Sequence, residues 1–200
     1  MSAVHTDLPP VERLKPRILR EAQPAPWVER LQLDDGRRLL LRPIDPRDAE
    51  LIRQAFMLLS PEEVRMRFLH PMKEISHDLV NRLTRIDPES EFALVVAEPL
   101  PPGEALVGCV GRLSIEQSAH RAEFAVLVSR FLVGKGLGRL LMNQLISWGQ
   151  ARGLSEIYGD VLDENSAMLS LAASLGFKRE MLPDDPGIVR VRLSLEQPAS

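Results

Sequence analysis

Val128-Ser129-Arg130-Phe131-Leu132-Val133-Gly134-Lys135-Gly136-Leu137-Gly138-Arg139 joins an apolar, β-branched run to a run with helical periodicity. The glycines at 134, 136 and 138 let the backbone turn tightly, with no Cβ blocking approach. A helix opening here leaves its first amide N–H groups without acceptors, and its dipole favours negative charge at that end. Together these features make a cradle for a phosphate or pyrophosphate. Lys135 and Arg139 add positive charge at its rim. Two common phosphate fingerprints do not fit. A P-loop requires Gly-Lys-Ser/Thr, whereas Gly136 follows Lys135. The dinucleotide pattern requires glycine where Arg139 stands. The plain alternative is a tight strand-to-helix turn that holds no ligand.

Downstream, Leu137, Leu141, Leu145 and Trp148 recur at helical spacing, so a helix with one buried stripe runs to about Arg152. Residues 157–162 read as a strand, Asp163 as the cap of a helix that Gly176 ends, and 177–181 with 188–195 as a hairpin. Upstream, 27–33 and 37–42 flank Asp34-Asp35-Gly36, a hairpin signal. Helix starts follow at Asp45-Pro46, at Ser60-Pro61-Glu62-Glu63 and at Ser76. Strands are expected at 92–97, 105–115 and 121–128. The fold class is α/β with a mixed (α+β) sheet, antiparallel first and strand-helix-strand-helix-strand at the end. Residues 1–25, carrying Pro9, Pro10, Pro16 and Pro24, read as a flexible tail; 26–196 form one domain and 197–200 a short C-terminal tail.

The chain has 200 residues and a formal net charge of -3, which argues against nucleic acid or anionic lipid bound through bulk charge. Its one cysteine, Cys109, sits in an apolar run and reads as a buried thiol; an internal disulfide is excluded. His5, His70, His77 and His120 lack ligand-like spacing, so no metal is expected. Without a membrane-length apolar run or a signal-peptide core, a cytoplasmic protein is expected.

The order strand, Gly-Lys-Gly-Leu-Gly, helix, strand, Asp-Glu-Asn, helix, Leu-Gly-Phe resembles the GNAT N-acetyltransferase superfamily over about residues 37–195. Arg42-Pro43-Ile44 with Asp48, Leu59-Ser60 with Arg67-Phe68, and Glu164-Asn165 with Met168-Leu169 look like bacterial Pat-type protein lysine acetyltransferases. The resemblance implies a three-layer fold, with a central, mostly antiparallel sheet flanked by helices. It implies acetyl-CoA as co-substrate: Val126, Leu127 and Val128 pair their backbone with the pantetheine amides. The loop Val133, Gly134, Lys135, Gly136, Leu137, Gly138, Arg139 holds the pyrophosphate, and Asn165 and Met168 flank the pantetheine arm. Two positions depart from the pattern: Val133 stands where Gln or Arg is usual, and Ala172 where a proposed acid tyrosine is often found.

Amine acylation needs a neutral nucleophile, yet a free lysine titrates near ~10.4, so a positioned base is required. Glu123, early on the strand expected to hold pantetheine and set among apolar neighbours, is the candidate; desolvation would raise its pKa. It also coincides with the catalytic glutamate of the resembled family. The alternative is a surface glutamate paired with Arg121 or Arg112. Arg65, Arg67, Arg82 and Arg85 give the 45–85 segment a positive cast, which would suit an acidic surface around a target lysine. Three functions stay open: a protein lysine acetyltransferase, with an acyl-CoA synthetase as a candidate target; a small-amine acetyltransferase; and an inactive acetyl-CoA-binding sensor or scaffold. A monomer or homodimer is expected.

Overall fold

A computed structural model describes residues 19–23, 27–116 and 120–195. They form β1 (Leu19–Gln23), β2 (Val28–Gln32), β3 (Arg38–Pro43), a 3₁₀ turn (Pro46–Asp48), α1 (Ala49–Phe56), α2 (Pro61–Phe68) and α3 (His77–Thr84). Then come β4 (Glu91–Ala97), β5 (Val107–Glu116), β6 (Arg121–Val128), α4 (Leu137–Ala151), β7 (Glu156–Leu162), α5 (Ser166–Ser174), β8 (Lys178–Met181) and β9 (Ile188–Ser194). The strands make one nine-stranded sheet in the order β1-β2-β3-β4-β5-β6-β7-β9-β8. Of its ladders, β6–β7 is parallel and the others are antiparallel.

Alternation assigns the two faces. Leu94 and Val96 of β4, Cys109 of β5, and Leu137, Leu140 and Leu141 of α4 share one cluster. Ala93, Val95 and Ala97 point the other way, with Ile44 and Ile52. A strand buried on both sides reads as an unbroken apolar run, as 91–97 does. Gly111 lets α4 lie close on β5, since a Cβ there would stand 3.3 Å from Leu141. Helices α4 and α5 cover one face through Met142, Leu145, Leu169 and Ala172. Helices α1 to α3 form their own cluster on the other, around Phe56, Val64, Ile75 and Val80. The result is three layers.

The helix starts follow the sequence signals. Ser60 and Glu63 close a capping box at α2, and the Ser76 hydroxyl accepts from the Leu79 amide at α3. Two expectations need correction. β1 lies within the segment read as a tail. Pro16 and Pro24 bracket that strand rather than interrupt it, and an edge strand pairs on one side only. Residues 1–18 and 196–200 of the expected tails lie outside the described residues. The cap of α5 is Asn165, whose side chain accepts from the Met168 amide at 3.0 Å, not Asp163. Asp163 and Glu164 are spent in the turn, where the Asn165 amide donates to the Leu162 carbonyl.

A buried ion pair fixes the wall of α1 to the sheet. Arg42, at the end of β3, donates two bonds to Asp48, at 2.7 and 2.8 Å, and both side chains are almost fully buried. Asp48 also accepts from the Asp45 amide, closing the 3₁₀ turn. Removing one partner of such a pair leaves an uncompensated buried charge. Asp48→Ala should therefore lower the unfolding free energy by about 3–5 kcal/mol, read by denaturant melts.

Candidate functional site

The ladder between β6 and β7 pairs Arg121 with Glu156, Ala122 with Ile157 and Glu123 with Tyr158, and there it stops. From that point the strands diverge. β6 stays with β5 as far as Val128, while β7 stays with β9 as far as Leu162. The ring of Phe124 occupies the point of divergence. It lies over Gly159, where a Cβ would come within 2.7 Å of it, and meets Phe177 edge-on at 5.4 Å. One edge of β6 from Phe124 onward therefore has no ladder partner among the described residues. Backbone groups on such an edge seek hydrogen bonds.

The split opens a cleft of about 830 Å³. Val126, Leu127 and Val128 line one side, and Val133, Gly134, Gly136, Leu137, Gly138 and Arg139 close one end. Asn165 and Met168 form the opposite bank. Gly134 and Gly136 hold φ of 78° and 81°, a region that other L-residues enter at a cost. Gly136 is the N-cap of α4 and offers no side-chain cap. The first-turn amides of that 15-residue helix thus face the cleft as bare donors. A Cβ on Gly138 would sit 3.3 Å from Leu171 of α5, so glycine also lets the two helix starts approach. These features fit a pyrophosphate with a pantetheine arm along β6.

Lys135 departs from the expected arrangement. Its ammonium is tied to Asp35 in the β2–β3 turn at 3.0 Å, and it does not line the cleft. Asp35 also takes Arg37, which holds its carboxyl well below the usual range. Arg139 does reach the rim, bonded to the Ser174 hydroxyl at 2.5 Å. Val133 is 60% exposed at the mouth. The Asn165 carbonyl oxygen is occupied by its capping bond, so its amide NH₂ is the part left for a ligand.

Glu123 lies where the ladder ends, on the face of β6 turned to α2. Its side chain is exposed to solvent through the open cleft. Loss of hydration raises its pKa; the Asp160 carboxylate adds to the rise, while Arg67 and Arg190 oppose it. Asp160 lines the same cleft and is gripped by Arg190, its cross-strand partner on β9, through bonds of 2.7 and 2.8 Å. Neither Asp160 nor Arg190 stood out in the sequence. A lone acid inside the run read as a strand, 157–162, was the available signal.

The expected positive acceptor wall is resolved residue by residue. Arg82 and Arg85 are exposed and do not line the cleft. Arg65 forms an ion pair with Glu164 across the cleft, linking α2 to the start of α5. Arg67 points inward. Burial pushes its pKa down to about 10, Arg112 pushes the same way, and Glu123 offsets part of it. Carboxylates predominate instead: Glu62, Glu63, Asp160 and Glu164 line the cleft with Glu123. Tyr158 is buried between the guanidinium groups of Arg121 and Arg190, and Ala172 belongs to the core. Cys109 is buried, its pKa pushed up to about 12 by that burial. Among the described residues no cluster of three or more His, Cys, Asp or Glu could hold a metal ion, and no helix is long and apolar enough to cross a membrane.

A family model described as an acetyltransferase (GNAT) domain matches residues 38–178. Acetyltransferase PA5475 of Pseudomonas aeruginosa is 36% identical over 169 residues, covering 84% of this chain and 89% of that protein. The GNAT domain of PAT from S. lividans shares the fold at a TM-score of 0.73 and 23% identity, across 86% of this chain and 99% of that one. A variant of the cAMP-binding acyltransferase from Mycobacterium smegmatis matches at a TM-score of 0.55 and 26% identity. It does so over 84% of this chain and 47% of its own, so this chain spans about half of that protein.

The loop geometry separates backbone from side-chain contributions. Gly136→Val should weaken CoA binding, measured by calorimetry, by tenfold or more (about 1.4 kcal/mol). Lys135→Ala should change it by less than about threefold, because a surface cation already paired elsewhere adds little.

Proposed function

Because this chain belongs to the GNAT acetyltransferase family, we propose that it transfers the acetyl group of acetyl-CoA directly to a protein lysine ε-amine, with Glu123 as general base. The observation that carries this reading is the juxtaposition of Glu123 with the unpaired edge of β6 and the bare helix start of α4, all in one cleft. Acetyl-CoA fits that cleft by chemistry. The donors at 134–139 suit its pyrophosphate, and the β6 edge suits the amides of its pantetheine arm.

Holding both reactants in one cleft removes most of the entropic barrier to their encounter. A backbone amide near Val126 polarises the thioester carbonyl, and Glu123 receives the proton as the amine attacks. Its raised pKa strengthens it as a base. Of the cleft carboxylates, Glu63, Asp160 and Glu164 are paired with Arg130, Arg190 and Arg65, so Glu62 and Glu123 are the ones left to attract a cationic amine before it is deprotonated. That attraction supports an amine acceptor. It replaces the preference for an acidic target surface inferred from the arginines of the 45–85 segment. The lysine assignment draws on the resemblance to Pat-type enzymes at 42–44, 59–60, 67–68, 164–165 and 168–169. An acyl-CoA synthetase is the protein acceptor to try first. A second reading, a small polyamine acceptor, is favoured by the same carboxylates, and a panel of amines and proteins with free-CoA detection separates the two.

Glu123→Gln should lower kcat by roughly 10²–10⁴-fold while acetyl-CoA affinity is retained. Unchanged turnover would remove Glu123 from the mechanism. A base must be deprotonated, so kcat/KM should fall as pH drops through the raised pKa of Glu123, above the ordinary glutamate range. Asp160→Asn removes the neighbouring negative charge and frees Arg190, and both changes stabilise ionised Glu123. The acid limb of the pH–rate profile should move to lower pH.

A further inference from the structure

We propose that the apolar cavity between α1–α3 and the sheet receives the alkyl tail of acyl-CoA thioesters longer than acetyl. The inference rests on the cleft beside β6 being the CoA site. This second cavity, about 310 Å³, is walled by Ile52, Ala55 and Phe56 of α1 against Ala93, Val110 and Leu127 of the sheet. It shares Arg67, Phe68, Leu127 and Leu132 with the CoA cleft, so the two spaces are divided by a common wall. Glu123, Ala125 and Leu127 alternate along one face of β6. Neither Glu123 nor Ala125 lines the cavity, so the tail of an acyl group presented at Glu123 enters past the shared side chains Arg67, Phe68 and Leu127.

The chemistry of the wall selects the occupant. Apart from Ser129 and from Arg67, whose guanidinium lies over the Phe68 ring, its polar side chains are committed to the protein. Arg112 is held by Ser114, the Leu83 carbonyl and Glu91. Arg37 is held by Asp35 and the Phe131 carbonyl, and Glu98 accepts from the Leu106 amide. What remains to meet a ligand is mostly hydrocarbon, extended to the rim by Leu58 and Phe131, each 63% exposed. An acceptor amine is a poor occupant, because Arg67 in the shared wall repels an ammonium. A neutral alkyl chain meets no such barrier. The volume is at the lower end for ligand pockets, which suits a slender chain. The reaction itself is unaltered: the acyl C–S bond breaks as the C–N bond forms, the amine proton passes to Glu123, and CoA leaves as thiolate.

The test is calorimetry of the full chain with CoA and with acetyl-, butyryl-, hexanoyl- and octanoyl-CoA. Affinity should rise by up to about fourfold per added methylene until the cavity is filled. Ala55→Phe, and independently Ile52→Phe one helical turn away, should abolish that gain. Acetyl-CoA affinity should stay within about threefold in both, which also reports that they fold. Hexanoyl-CoA binding no tighter than acetyl-CoA would overturn the proposal, as would a gain that survives both variants. Loss of affinity for CoA itself in the unaltered chain would remove the cleft reading along with it, which tells the two failures apart.

Discussion

The parting of β6 from β7 is the constraint on which the rest of the structure depends. Two parallel strands that begin in register would normally continue pairing, since each unpaired backbone group in the interior is costly. Here the ring of Phe124 fills the space over Gly159, and the strands follow different partners beyond it. The packing of an aromatic side chain against a residue without a Cβ is thus converted into a backbone edge that a ligand can pair. The same divergence places Glu123, the last β6 residue of the ladder, at the head of that edge.

Around the cleft, charge is arranged in opposed sets. The end at 134–139 is positive through backbone donors and needs no lysine, since Lys135 is engaged by Asp35. Away from that end, Glu123 and Asp160 place carboxylates in the cleft. Phosphates at one end and a cationic amine at the other would therefore approach from different directions, and their reacting groups would meet near Glu123. Asp160 raises the basicity of Glu123, while Arg190 holds Asp160 in place without itself lining the cleft.

Local signals in the sequence sufficed for much of this. The alternate glycines, the Ser60–Glu63 capping box, the leucine stripe of α4 and the Asp-Gly hairpin each act within a few residues, and each element forms where its signal stands. What escaped depends on register and on distance along the chain. The partners Lys135 and Asp35, Arg65 and Glu164, and Asp160 and Arg190 meet only once the sheet is assembled. The cap of α5 went to Asn165 because the turn after β7 consumes Asp163 and Glu164, a count of residues that no propensity supplies. β1 was hidden by the prolines that flank it.

Amide hydrogen exchange of the full chain with and without CoA addresses the central claim most directly. If the split holds the ligand, CoA should slow exchange selectively at 124–128 and 134–139, where donors face the cleft. Protection confined to other segments, or none at saturating CoA, would contradict the account.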